Sequence, residues 1–123
     1  MICLAAGAVA SVLALQTFTL AWTHSIEKIR WEEDWRVEHG ALVALAARIR
    51  GNGAGMETPP GAQWRDGVWH YRPALAPQPA LHLTHSPYAG GYEICADGRC
   101  APLAALLPGL AATAVIDITP CSP

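Results

Sequence analysis

Two hexapeptides, "WRDGVW" at residues 64–69 and "CADGRC" at residues 95–100, share an Asp-Gly dipeptide with matching residues at both ends. Asp-Gly is the favoured centre of a two-residue type I′ turn, which joins antiparallel strands. The residues flanking the dipeptide then form a hydrogen-bonded pair, and the next pair outward brings its side chains closest together. The first hairpin should therefore hold a Trp64/Trp69 pair. The second should hold a Cys95–Cys100 disulfide.

The other two cysteines, Cys3 and Cys121, lie near the two ends of the 123-residue chain. A Cys3–Cys121 disulfide would close a loop spanning almost the whole chain, worth about 4–5 kcal/mol in the chain-entropy model. The spacings include no paired C-x-x-C knuckles, so a cysteine zinc site is the weaker alternative. Two disulfides in a small domain predict an oxidising compartment, periplasmic or otherwise extracytoplasmic.

Alternating apolar residues predict that most of the chain forms strands. "TFTLAWTHS" (17–25) and "IRWEEDWRV" (29–37) each alternate with period two, and the shift in phase between them predicts a bulge or bend near Glu27–Lys28. Residues 41–50 fit a strand or a helix, and the preceding turn favours a strand. The charges Arg30, Glu32, Asp34 and Arg36 indicate a solvated face.

The later part of the chain completes a single domain over residues 1–123. Its prolines make residues 72–80 a poor central strand, whereas residues 102–107 resemble a short helix and residues 113–118 a final strand. We expect an all-β, mainly antiparallel fold, a small sandwich or barrel of about eight or nine short strands with one short helix.

The N-terminal segment and the charge limit the classes of partner. Residues 2–22 are mostly apolar, yet no Lys or Arg precedes Lys28 and polar residues interrupt the run. We interpret residues 1–14 as the first strands of the domain; the alternative is the remnant of an export or anchor segment, which leaves membrane contact open. A net charge of −2 without a basic stripe argues against nucleic acid as a partner.

The tripeptide Thr-His-Ser ends two of the predicted strands. His24 and His85 follow the apolar phase of their strands, so two adjoining strand ends would deliver two imidazoles to one buried corner. Glu33 lies on an otherwise apolar strand face and needs a partner. The alternatives are histidines that are simply satisfied core groups, or a metal site of His24, His85 and Glu33.

A glycine-rich stretch, "RGNGAGMETPPG" (50–61), is the other candidate binding element. Gly53 and Gly55 permit close backbone approach, and exposed amides there could cradle an anion, although the stretch lacks P-loop spacing. A plain tight loop is the alternative. The sequence contains no defensible Ser-His-Asp or Cys-His assembly, so we expect no enzyme activity and no cofactor.

The segments "FTLAWTHSIEKIRWEEDWRV", "GNGAGM" and "YEICADGRC" resemble the bacterial family called domain of unknown function 1850. The residues that match the hallmarks of the family are His24-Ser25, Glu33 (with Glu32 as the alternative), Gly53-Ala54-Gly55 and His85-Ser86.

The resemblance implies a small exported protein encoded beside TAXI-type TRAP transporters. We expect an accessory protein that binds a receptor or permease of such a transporter, or a small organic anion. The expected ligand-binding residues are those of the His/Glu/Gly-loop corner: His24, Ser25, Glu33, Gly53, Gly55, His85 and Ser86. The alternatives are a metal-binding protein that uses His24 and His85, and a purely structural transporter subunit.

Overall fold

The computed structural model describes residues 1–24, 28–51 and 58–122. These residues contain eleven strands and one short helix. In chain order the elements are β1 (Ile2–Ala6), β2 (Val9–Leu13), β3 (Thr17–Thr23), β4 (Arg30–Glu38), β5 (Ala41–Arg50), β6 (Gln63–Arg65), β7 (Val68–Tyr71), β8 (Leu81–His85), β9 (Glu93–Ala96), β10 (Arg99–Pro102), α1 (Leu103–Leu106) and β11 (Ala114–Pro120).

The described strands form two antiparallel sheets that pack face to face. One sheet has the order β2-β1-β11-β8 and the other the order β10-β9-β3-β4-β5-β7-β6. Neither sheet closes on itself, so the fold is a sandwich, and the all-β prediction is confirmed. Apolar side chains from both sheets and from the region of α1 share one core, which includes Ile2, Leu4, Phe18, Leu20, Trp35, Leu42, Leu103, Leu107, Ile116 and Ile118.

The two Asp-Gly turns form as predicted. Both central residues of each turn have positive φ, 51° and 77° at Asp66-Gly67 and 52° and 76° at Asp97-Gly98, as a type I′ turn requires. Trp64 lies opposite Trp69 with ring centroids 5.2 Å apart. The position of the turn residues therefore sets the register of both hairpins.

Both predicted disulfides are confirmed. Cys95 and Cys100 are cross-strand partners with Cα atoms 3.9 Å apart. Cys3 and Cys121, with Cα atoms 5.8 Å apart, link β1 to the residue that follows β11. The second bond therefore joins two segments that already pair with each other in the four-stranded sheet.

Two other predictions are confirmed, and a third falls partly outside the described residues. Residues 41–50 are a strand, and the predicted helix lies at Leu103–Leu106. The bulge or bend predicted near Glu27–Lys28 falls on a segment whose residue Glu27 lies outside the described residues; on either side of it, Thr23 pairs with Arg30. The bulge in this region lies farther along β4, where the register against β5 shifts between Asp34 and Trp35.

The N-terminal residues 2–13 form β1 and β2, which pair with each other. In the described part of the chain, no helix has the length and apolar character needed to cross a membrane.

Candidate functional site

Stacked rings cover one end of the seven-stranded sheet on its inner face. Trp22 of β3 lies directly opposite Trp31 of β4, with ring centroids 6.0 Å apart and planes at 24°. The His24 ring stacks on Trp31 at 6.2 Å, and the Tyr92 ring lies 5.6 Å from Trp22. We call this cluster, together with Glu33, the aromatic corner. The β3–β4 register creates it, since antiparallel partners lie on the same face of a sheet.

Glu33 is the acidic group of the aromatic corner. It lies on the same face of β4 as Trp31 and accepts a 3.3 Å hydrogen bond from Trp35 Nε1. Burial raises the pKa of the Glu33 carboxyl, and the bond from Trp35 offsets this only in part. Tyr71 and Tyr92 also have raised pKa values, first because they are partly buried and then because of the Glu33 charge. Ionisation of Glu33 is therefore less favourable in the corner than in water, and two phenol groups lie near it.

A hollow of about 250 Å³ opens beside the stacked rings. This volume lies slightly below the usual range of roughly 300–1,000 Å³ for small-molecule pockets, so it suits a small ligand. Most of its polar lining groups are imidazole or hydroxyl groups that can donate hydrogen bonds. The lining residues are Trp22, Thr23, His24, Thr84, Ser86, Ala89, Gly90 and Tyr92.

The hollow brings together parts of the two Thr-His-Ser segments. β3 belongs to the seven-stranded sheet and β8 is the edge of the four-stranded sheet, so the two strands are not paired. Their ends nevertheless meet across the sandwich, and His24 and Ser86 line the same hollow. His85 is partly buried opposite Ala114 and does not line the hollow. Ser25, Gly53 and Gly55, the other predicted site residues, lie outside the described residues.

Two features of the corner were not expected from the sequence. The partner of Glu33 is Trp35, two residues along the same strand, rather than a histidine. Tyr92 was also missed, although it shares the apolar phase of Ile94 and directly precedes β9, which pairs with β3. Alternation with Ile94 is the signal that would have placed Tyr92 on the inner face.

Trp31 leaves one polar atom of the corner without a partner. Its indole nitrogen is buried and has no acceptor within the described ranges. An indole N–H only donates, and a buried donor without an acceptor costs stability.

The described residues contain no group of three His, Cys, Asp or Glu side chains that could hold a metal ion. His24, His85 and Glu33, the residues of the alternative metal site, all lie within the described ranges and do not form such a group.

The outer face of the same sheet carries a network of ion pairs. Arg48 donates to both carboxylate oxygens of Asp34 at 2.7 Å and to Glu32 at 3.0 Å. Arg50 also reaches Glu32, at 2.9 Å, and Thr19 donates to Asp34 at 2.7 Å. We call these five residues, together with Arg30, the charged face. The Glu32 side chain is only 11% exposed, so this surface is more enclosed than the solvated face expected from the sequence.

The arginines keep both acids of the charged face ionised. Hydrogen bonds from Arg48 lower the pKa of Asp34, against the opposing effect of partial burial. Burial alone would raise the pKa of Glu32, but hydrogen bonds from Arg48 and Arg30 reverse this, and the net pKa is lowered.

Comparison with known proteins identified one matching family model, "Domain of unknown function (DUF1850)", which matches residues 18–103. The match spans β3 to β10 and includes the whole aromatic corner and the Cys95–Cys100 disulfide, whereas Cys3 and Cys121 lie outside it. No curated protein and no solved structure matches the chain.

Proposed function

We propose that this chain, which belongs to the DUF1850 family, is an extracytoplasmic accessory protein of TAXI-type TRAP solute uptake that binds a small organic anion at the aromatic corner. The two disulfides support an oxidising compartment, because such bonds persist outside the reducing cytosol. The link to the transporter rests on the resemblance of the sequence motifs in this chain to those of the family.

The observation that carries the proposal is the hollow between the two Thr-His-Ser strand ends. Trp22 and Tyr92 offer ring surfaces to the apolar part of a ligand, and His24, Thr84 and Ser86 offer donors to its charged part. Concave sites with aromatic walls and a few converging polar groups are typical of small-molecule binding.

Glu33 does not line the hollow, so it affects a ligand there through its charge rather than by direct contact. An ionised carboxylate there would repel an anion through its charge, and burial disfavours that charge by raising the pKa of Glu33. Anion binding should therefore tighten as the pH falls through the raised pKa of Glu33. A ligand with an ammonium group should show the opposite trend, because an ionised Glu33 would attract it and the aromatic rings would favour it.

The test is a pair of NMR titrations with benzoate and benzylammonium, which are similar in shape but opposite in charge. We expect benzoate to produce saturable shifts at Trp22, His24 and Ser86, with tighter binding at about pH 5 than at about pH 8. Glu33→Gln imitates the neutral acid, so this variant should retain benzoate binding and lose much of its pH dependence.

Three histidine variants provide the matched controls. His24→Ala should weaken benzoate binding, whereas His82→Ala should not, because His82 is exposed on β8 and pairs with Asp117. His85→Ala tests the second predicted histidine, which lies next to two residues that line the hollow. Saturable binding of benzylammonium alone, or benzoate shifts elsewhere on the sandwich, would refute the organic-anion proposal.

The transporter link needs a separate measurement. The purified chain, mixed with the soluble receptor of a TAXI-type transporter from the same organism, should co-elute with it in size-exclusion chromatography. If the chain binds neither this receptor nor the permease in detergent, the accessory role is wrong even where benzoate binds.

A further inference from the structure

We propose that Cys95–Cys100 is an exchangeable disulfide that reacts with an external dithiol, whereas Cys3–Cys121 is the structural bond of the fold. This site lies on the outer face of the seven-stranded sheet and is independent of the ligand-binding proposal for the aromatic corner.

The location of Cys95–Cys100 allows it to open without unfolding the domain. β10 is the edge strand of its sheet, and Cys100 is exposed there while Cys95 is partly buried. The bond spans only 5 residues of sequence, and four backbone-paired positions and a type I′ turn hold the hairpin in any case. Cys3–Cys121 spans 118 residues, so its loss frees far more chain entropy.

Arg30 places a positive charge against both sulfurs. Its Nη2 atom lies 3.7 Å from Cys95 Sγ and 3.8 Å from Cys100 Sγ. Glu93 and Glu32 hold the guanidinium in this position through bonds of 2.7 Å and 3.0 Å. A cation next to a sulfur stabilises the thiolate and makes it a better leaving group.

A groove of about 390 Å³ gives an incoming thiol access to the bond. Arg48 and Arg50 line the groove and attract a thiolate, while Glu32 and Asp97 oppose it. Glu93 and Arg99 complete the charged groups on β9 and β10. The complete lining is Thr19, Glu32, Arg48, Arg50, Cys95, Ala96, Asp97, Gly98 and Cys100.

The reaction is ordinary thiol–disulfide exchange. One thiolate of the dithiol attacks the exposed Cys100 Sγ and forms a mixed disulfide, and the Cys95 sulfur leaves as a thiolate beside Arg30. The second thiol of the dithiol, once deprotonated, attacks its own sulfur in the mixed disulfide and releases Cys100. The protein gains two electrons and two protons, one proton for each cysteine thiol. The dithiol is oxidised to a disulfide. The reverse reaction restores Cys95–Cys100.

The experiment is timed reduction of the folded protein by dithiothreitol, with alkylation of free thiols and peptide mapping of both cysteine pairs. We expect Cys95–Cys100 to open at least about tenfold faster than Cys3–Cys121. Circular dichroism should show that the sandwich stays folded when only the first pair is reduced. Equal rates for both pairs, or loss of the fold along with Cys95–Cys100, would overturn the proposal.

Variants of Arg30 test the role of its charge. Arg30→Gln should slow reduction of Cys95–Cys100 by about threefold to tenfold, and Arg30→Lys should recover part of the rate because it restores a cation. Arg50→Gln is the matched control: Arg50 attracts the incoming thiolate but binds Glu32 rather than the sulfurs, so its loss should slow reduction less than the loss of Arg30. A rate that is unchanged in Arg30→Gln, or equally slowed in Arg50→Gln, would refute the role of Arg30.

Discussion

Three consecutive acidic residues of β4 lie in two different environments, because neighbouring side chains of a strand point to opposite faces of the sheet. Glu32 and Asp34 point to the charged face, where arginines lower their pKa values. Glu33, between them, points to the aromatic corner, where burial raises its pKa. The difference shows that burial and hydrogen-bond partners on each face of the strand, rather than neighbours in sequence, set the direction of the pKa shift.

Glu32 and Glu33 also differ in their hydrogen-bond partners. Glu32 receives hydrogen bonds from three arginines, Arg30, Arg48 and Arg50. In the described part of the chain, the donor to Glu33 is the neutral indole of Trp35. A largely buried acid without a cation partner costs stability, and functional sites commonly retain such groups. This contrast is the physical reason to look for the small-molecule site at the corner rather than on the charged face of β4.

The largest expected effect comes from removing the central cation of the charged face. Arg48→Met should lower the free energy of unfolding by about 2–3 kcal/mol at neutral pH, between the values typical of exposed and buried ion pairs. Because the pKa values of Glu32 and Asp34 are lowered in the folded state, both acids contribute their full stability when the pH is above their unfolded-state pKa values. The loss caused by Arg48→Met should therefore shrink as the pH falls through the folded-state pKa values, which urea denaturation across pH would measure.

Arg36→Met is the control for this substitution. Arg36 lies on β4, on the same face of the sheet as Arg48, but it pairs with Glu38, and both of these side chains are exposed. We expect a change within about 0.5 kcal/mol, as for most exposed pairs. If the two variants lose equal stability, the enclosure of the charged face contributes nothing.

The sequence predicted the local features of this fold better than its long-range ones. The Asp-Gly turns set the registers of two hairpins, because a two-residue loop leaves no freedom in the pairing beside it. The cross-strand positions of Trp64/Trp69 and Cys95/Cys100 followed from the turns. The strand at residues 41–50 followed from the preceding turn, at His39-Gly40, although its alanines and leucines favour helix.

The sequence alone did not specify the contacts between distant segments. The division of strands between two sheets decides that His24 and Ser86 share a hollow, and nothing in either Thr-His-Ser segment specifies that division. The β4–β5 register that brings Arg48 to Asp34 contains a bulge without a glycine or proline to mark it. The contact of Arg30 with the Cys95–Cys100 bond spans both a hairpin and a strand pairing that only the folded sheet supplies.

An adjacent pair of substitutions sharpens the comparison between the faces. Glu32→Gln should lower the free energy of unfolding at neutral pH, and Glu33→Gln should raise it, each on the order of 1 kcal/mol. The signs differ because the folded state lowers the pKa of Glu32 but raises the pKa of Glu33. Stability that depends on the raised pKa of Glu33 is present at low pH and is lost as the pH rises through that value. Glu33→Gln should remove this loss.

Urea denaturation of both variants at about pH 4 and about pH 7 measures these signs. The stability gained in Glu33→Gln should be small in acid and larger at neutral pH. The stability lost in Glu32→Gln should likewise be small in acid and larger at neutral pH. A Glu33→Gln variant that is destabilised at neutral pH would mean that the carboxylate has a cation partner.

The smallest effect tests the hydrogen bond that links β3 to the charged face. Thr19→Val keeps the shape and strand preference of the side chain but removes the 2.7 Å bond to Asp34. We expect a loss of about 1 kcal/mol in the free energy of unfolding at neutral pH. The loss should disappear as the pH falls through the lowered pKa of Asp34, because the bond stabilises the ionised acid. Thr17→Val, on the same strand face but exposed, should change stability little at either pH. A loss in Thr19→Val that persists in acid would assign the effect to packing and remove Thr19 from the electrostatics of the charged face.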